Sequence, residues 1–180
     1  GSSIGTAAFA VKTQLATFGI SAIFFSTEEF EERTSSNPAG TGRMVKATDT
    51  AIGFTVAKQL TDKLSFGAQV RYIKEDLDLT SFSTVDVNFG TLFFTGYKST
   101  RLSMSLRNLG SDKEVVAQKA RVPTVFYIGG AGEVYGNLGD PFSLTVSVEQ
   151  AFFTDYAARY YFGAEAWMNN MLALRAGWKT

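Results

Sequence analysis

Leu64-Ser65-Phe66-Gly67-Ala68-Gln69-Val70-Arg71-Tyr72 is the stretch that decides the fold. Its apolar residues, Leu64, Phe66, Ala68, Val70 and Tyr72, alternate strictly with Ser65, Gly67, Gln69 and Arg71. Successive side chains of an extended strand point to opposite faces, so a period of two gathers the apolar groups on one side, as a strand between two unlike media requires. The same period recurs along the chain. Val85, Val87, Phe89 and Phe93 oppose Asp86, Asn88 and Gly90; Leu102, Met104 and Leu106 oppose Arg101, Ser103, Ser105 and Arg107. Further on, Phe142, Leu144, Val146 and Val148 oppose Ser143, Thr145, Ser147 and Glu149, and Leu172, Leu174, Ala176 and Trp178 oppose Ala173, Arg175, Gly177 and Lys179. Helical spacing finds no comparable window.

Weaker segments fill in ten expected strands: residues 5–12, 17–27, 48–60, 64–77, 83–97, 101–109, 122–134, 142–152, 157–168 and 171–179. Many reach the roughly nine to eleven residues that a tilted strand needs to cross a bilayer, against about five or six for a soluble strand. The connections alternate in length. Residues 12–16, 61–63, 98–100 and 169–170 are tight turns, whereas 28–47, 78–82 and 110–121 are longer and together carry much of the acidic charge. Short periplasmic turns and long outer loops are the pattern of an outer-membrane barrel. Two connections blur it: 135–141 is long for the short side, and 154–156 is brief for the long side.

The fold expected is therefore all-β, an antiparallel up-and-down transmembrane β-barrel with about ten strands in this chain, and residues 1–180 form a single outer-membrane β-barrel domain. On this assignment both chain ends lie at the outer rim. Bacterial barrels have an even strand count and normally begin and end in the periplasm. Further strands are thus expected before residue 1 and after residue 180, making this an incomplete part of a larger barrel.

Composition agrees. The 180 residues are 45% hydrophobic and 14% aromatic, enough for one folded domain and too apolar for disorder. Lys plus Arg and Asp plus Glu are equal at 17, leaving no net field to hold nucleic acid, which is not expected as a partner. Cysteine and histidine are absent, which removes thiolate nucleophiles, Cys/His zinc sites and His-dependent triads. No apolar run is long enough for a spanning helix. The first residues lack the basic and apolar regions of a secretory signal, as in a mature chain or a fragment.

Parity, assigned from the apolar neighbours, sets Arg71, Glu75, Asp86, Arg101, Arg107, Glu149, Arg159, Glu165 and Arg175 on the polar face, expected to line the lumen as a structural set. A Lys or Arg at mid-membrane on the lipid face costs about 2–4 kcal/mol, so nine charges of one parity argue for this orientation. Lys58 falls on the outward parity, but beside a short turn, where it can snorkel to headgroups. Glycines inside strands, among them Gly53, Gly67, Gly129 and Gly163, mark tight curvature or close packing against a lumen element. A soluble lipocalin-like barrel also alternates, with apolar residues turned inward around a ligand. Strand length, alternating loops and strand aromatics favour the membrane version.

The strings Ala51-Ile52-Gly53-Phe54-Thr55-Val56-Ala57-Lys58-Gln59-Leu60-Thr61-Asp62-Lys63-Leu64 continuing to Ile73, Asp86 to Gly96 (DVNFGTLFFTG), Leu102 to Gly110 (LSMSLRNLG) and Asn169 to Lys179 (NNMLALRAGWK) resemble the PorV/PorQ family of outer-membrane β-barrel proteins. The resemblance runs from about residue 48 onward; the first 47 residues match less clearly. It implies a FadL-like fourteen-stranded barrel and a non-enzymatic role in type IX protein secretion, binding the signal domains of secreted cargo and secretion-system proteins at the bacterial outer membrane. Outer-membrane lipid is then a partner as well. A FadL-like passive channel for hydrophobic small molecules is the alternative it leaves open.

Other motifs read as ordinary structure. Glu28, Glu29, Glu31 and Glu32, and likewise Glu75, Asp76 and Asp78, lack the Asp-x-Asp-x-Asp-Gly spacing of a calcium loop and read as solvated loop or strand-end acids, so no metal is expected. Asn37-Pro38-Ala39-Gly40-Thr41-Gly42 lacks the third glycine and the Lys-Ser/Thr of phosphate loops and reads as a turn. Glu149 and Glu165 are expected to pair with Arg159 or Arg175 rather than act as an acid/base couple. No catalytic residue and no cofactor is expected.

Overall fold

The computed structural model describes residues 1–77, 80–110, 113–115, 118–120, 123–137 and 139–180, and side chains are described outside 111–122. The described residues form fourteen strands: β1 (Ser2–Lys12), β2 (Thr17–Thr27), β3 (Phe30–Glu31), β4 (Met44–Val45), β5 (Ala47–Gln59), β6 (Leu64–Leu77), β7 (Thr80–Phe94), β8 (Arg101–Gly110), β9 (Lys113–Val115), β10 (Gln118–Ala120), β11 (Val125–Tyr135), β12 (Phe142–Phe153), β13 (Arg159–Met168) and β14 (Leu172–Lys179). The described residues contain no helix. Ten long strands form one antiparallel sheet in the order β1-β2-β5-β6-β7-β8-β11-β12-β13-β14, each next to its neighbour in sequence apart from two short hairpins, β3-β4 and β9-β10. β1 and β14 are the end strands, and no ladder joins them among the described residues, so the all-β up-and-down sheet is present without closure into a barrel.

The ten expected strands are the ten strands of this sheet. Asp78 and the expected strand start at Val122 lie outside the described residues. The turns follow their residue types. Asn169 and Asn170 both take positive φ, 50° and 54°, the backbone of a tight hairpin turn that asparagine tolerates better than most side chains. Gly136 has φ +66°, and a Cβ there would stand 2.4 Å from the Phe142 carbonyl oxygen, so this turn requires glycine.

By contacts the chain divides into two compact units: Gly1–Val56 with Gln69–Val87 and Gly110–Arg121, and Ala57–Ala68 with Asn88–Leu109 and Val122–Thr180. In the first unit Ser21, Gly53, Thr55 and Gln69 share a face: a Cβ on Gly53 would touch Ser21 Oγ and Gln69 Nε2, and Gln69 Nε2 donates to Thr55 Oγ1 at 3.0 Å. Phe18 and Phe54 stack on the other parity with ring centres 6.4 Å apart. Phe54, Ile52, Val70, Tyr72 and Val85 are exposed, whereas Asp86 is 1% exposed.

The second unit shows the same inversion in its strand registers. Directly opposed residues share a face, so Arg101, Ala131, Ser147, Gly163 and Gly177 form one row across β8, β11, β12, β13 and β14. The alternate rows carry Leu102, Met104, Ile128, Val146, Val148, Phe162, Leu174 and Trp178, all exposed. Phe66 of this unit is 40% exposed and Val70 of the first unit 49%. Among the described residues the buried hydrophobic side chains are Val125 and Ala151 alone, while Thr84, Asp86, Glu133, Ser143 and Thr145 are buried polar ones. A water-soluble sheet hides its apolar face and exposes its polar one; here the polar parity is the more buried.

Candidate functional site: the polar face of the second unit

The polar face of β8 and β11–β14 is built in rows. Glycine, alanine and serine at Ala131, Ser147, Gly163 and Gly177 keep the middle of this face low, and a Cβ added at Gly163 would lie 2.5 Å from Ser147 Oγ. Two hollows of about 300 Å³ and about 290 Å³ open on this floor. The first reaches Ser103, Glu149 and Tyr161; the second reaches Thr145, Glu165 and Arg175; Arg101 borders both.

Beside the floor runs a row of charge. Glu133 faces Thr145, Thr145 faces Glu165, and Glu165 faces Arg175. Thr145 Oγ1 donates to Glu133 Oε1 at 3.3 Å, and Arg101 Nη1 lies 3.9 Å from the same oxygen while also donating to the Ser99 carbonyl. Glu133 Oε2 has no hydrogen-bond partner among the described residues. Arg175 Nε donates to Glu165 Oε2, Trp167 Nε1 donates to Glu165 Oε1 at 2.7 Å, and the Arg175 guanidinium lies 5.8 Å from the Trp167 ring centre. Arg101 and Arg175 offset the two glutamates, so the cluster stays charged at low net field.

Arg101, Arg107, Glu149, Arg159, Glu165 and Arg175 share one face of the second unit by register. Arg71, Glu75 and Asp86 belong to the first unit. There Arg71 grips Asp86 through Nε at 3.3 and 3.1 Å and Nη2 at 2.6 Å, a forked pair with the carboxylate buried. Glu75 is half-buried, on the parity of Arg71. The expected pairing of Glu165 with Arg175 is present. Glu149 does not pair with Arg159; it sits between Gly129 and Tyr161, two rows from Glu165, so the two glutamates do not meet.

Glu133 is the site residue that sequence reasoning missed. It follows Gly129-Gly130-Ala131-Gly132, where hydropathy does not alternate, but counting parity back to Tyr127 would have found it. In the first unit the acidic loop is organised by the β3-β4 hairpin. Gly42 N donates to Glu31 Oε1 and Thr41 Oγ1 donates to Glu32 Oε2, both at 2.9 Å, so these acids serve the turn one at a time. No group of three or more metal-ligating side chains is gathered among the described residues. No known family profile matches the chain, and no characterised protein matches it significantly.

Proposed function

We propose that this chain is a PorV/PorQ-type outer-membrane β-barrel protein, non-enzymatic, that assists protein secretion by binding secreted partners at the outer membrane. The observation that carries the membrane part is the inverted sheet: long strands whose exposed parity is Phe, Leu, Ile, Val and Trp and whose buried parity is Thr, Ser, Asp and Glu. In lipid this arrangement is favourable on both sides, because acyl chains meet the apolar parity and the charge row faces an aqueous bore. The bilayer also demands strand partners for the open edges of β1 and β14, since an unsatisfied backbone group there costs several kcal/mol. The secretion part rests on the string resemblance and on the long outer connections, where the β3-β4 hairpin leaves Phe30 and Met44 exposed to a protein partner. Fractionation tests the first part: the protein is expected in outer membranes, released by detergent and not by high salt or carbonate. Mild-detergent purification tests the second, with co-purification of secretion components or cargo signal domains expected and a lone barrel counting against it.

One observation favours a second reading, a FadL-like passage for hydrophobic small molecules. A cavity of about 270 Å³ in the first unit is lined by Phe30, Val45, Ala47 and Leu77, with Glu32, Arg33 and Lys46 at its border. An apolar floor beside two cations and one acid, a net positive border, suits a hydrophobic molecule with an acidic head. Saturable uptake of a fluorescent acyl probe into vesicles containing the protein, abolished by Leu77→Asp, would establish that reading. Uptake equal to that of empty vesicles would exclude it.

A further inference from the structure

Where β11 begins and β12 ends, the polar face carries two arginines braced on aromatic rings. Arg107 lies opposite Val125, its guanidinium carbon 4.7 Å from the centre of the Tyr127 ring. Arg159 lies opposite Ala151, its guanidinium carbon 5.2 Å from the Phe153 ring centre. Val125 in turn faces Phe153, and Tyr127 faces Ala151. The two rings are therefore diagonal neighbours on adjacent strands, a spacing that aromatic side chains can span. Between them Val125 and Ala151 are buried, so the platform is packed, while both arginines are exposed.

A guanidinium lying on a ring face keeps its N–H edge free for a planar or tetrahedral oxyanion. Four other arginines are matched by acid, in Arg43–Glu32, Arg71–Asp86, Arg101–Glu133 and Arg175–Glu165. Arg107 and Arg159 are held in place, yet neither forms an ion pair among the described residues. Lys179, opposite Tyr161, adds a third cation in the next row, and Glu149 is the one acid in these rows. Three cations and one acid leave an uncompensated positive patch.

We propose that Arg107 and Arg159 form a binding site for a phosphate-class oxyanion. A lone carboxylate is satisfied by a single guanidinium fork, whereas two forks over adjacent strands suit an anion with more than two oxygens and more than one charge. Such an anion is available as free phosphate or as the head of a phosphomonoester lipid. The site stands on the polar parity of the second unit alone and does not depend on the membrane reading.

Arginine-selective modification of the purified full chain by phenylglyoxal, read residue by residue by mass spectrometry, tests it. Inorganic phosphate, or phosphatidic acid in mixed micelles, is compared with chloride at matched ionic strength. Slower modification of Arg107 and Arg159, with Arg175 unchanged, is expected. Protection by inorganic phosphate assigns a soluble ligand and protection by the lipid alone assigns a headgroup, and either supports the site. Unchanged rates at both arginines with both anions overturn it. By calorimetry with the anion that protects, R107Q and R159Q should each weaken binding about tenfold, as loss of a charge-assisted hydrogen bond implies, and K58Q should not. Equal affinity in all variants also overturns the site, and because the modification needs no variant, a misfolded R107Q leaves the test intact.

Discussion

Asp86 shows how single residues hold a sheet that has almost no apolar core. Its carboxylate is buried and taken by the forked Arg71 guanidinium, so removing either residue breaks a buried, charge-assisted pair. Asp86→Ala is expected to destabilise the fold by about 2–4 kcal/mol, read from the denaturant midpoint in detergent, at the lower part of the buried-pair range because Arg71 keeps some water. Arg175→Gln at the exposed Glu165 pair should shift the midpoint much less. Gly136 is a second such residue. A Cβ there meets the Phe142 carbonyl at positive φ, so Gly136→Val should lower stability by about 1–3 kcal/mol, measured in the same titration. Gly163→Leu should also close the floor beside Ser147, an overpacking cost of about 1–3 kcal/mol.

At the scale of the element, β13 offers the sharpest test, because Tyr161 and Phe162 are chain neighbours on opposite faces. Phe162 stacks on Trp178 at 5.7 Å on the exposed parity, while Tyr161 borders the polar hollow. Phe162→Arg should reduce stability in lipid by about 2–4 kcal/mol, and Tyr161→Arg by far less, measured by folding titrations into vesicles. Elements were also where the sequence was most readable. Alternation is a strong signal over ten residues, and it located every long strand to within a few residues, β6 at both ends. The β3-β4 hairpin was not legible, since a two-residue ladder is too short to carry a period. Neither was Glu133, because the glycine run before it has no hydropathy to alternate. Parity placed six charges on one face of the second unit, but which of them pair depends on register, as Glu165 with Arg175 and Glu149 with none illustrates.

For the whole molecule, the medium that wets each parity decides between a membrane and a soluble sheet. A lipocalin-like barrel would bury Phe66 and Val70 and expose Asp86, and these residues have the reverse exposure. The absence of cysteine makes a direct experiment clean, because each introduced cysteine carries the only label. Single spin labels placed in turn at residues 143–152 of β12, with the protein in lipid bilayers, report collisions with oxygen, which concentrates among acyl chains, and with a water-soluble nickel chelate. Labels at Leu144, Val146 and Val148 should favour oxygen and labels at Ser143, Thr145 and Ser147 should not, giving a period of two along the strand. A flat profile, or one with the parities exchanged, would contradict the account.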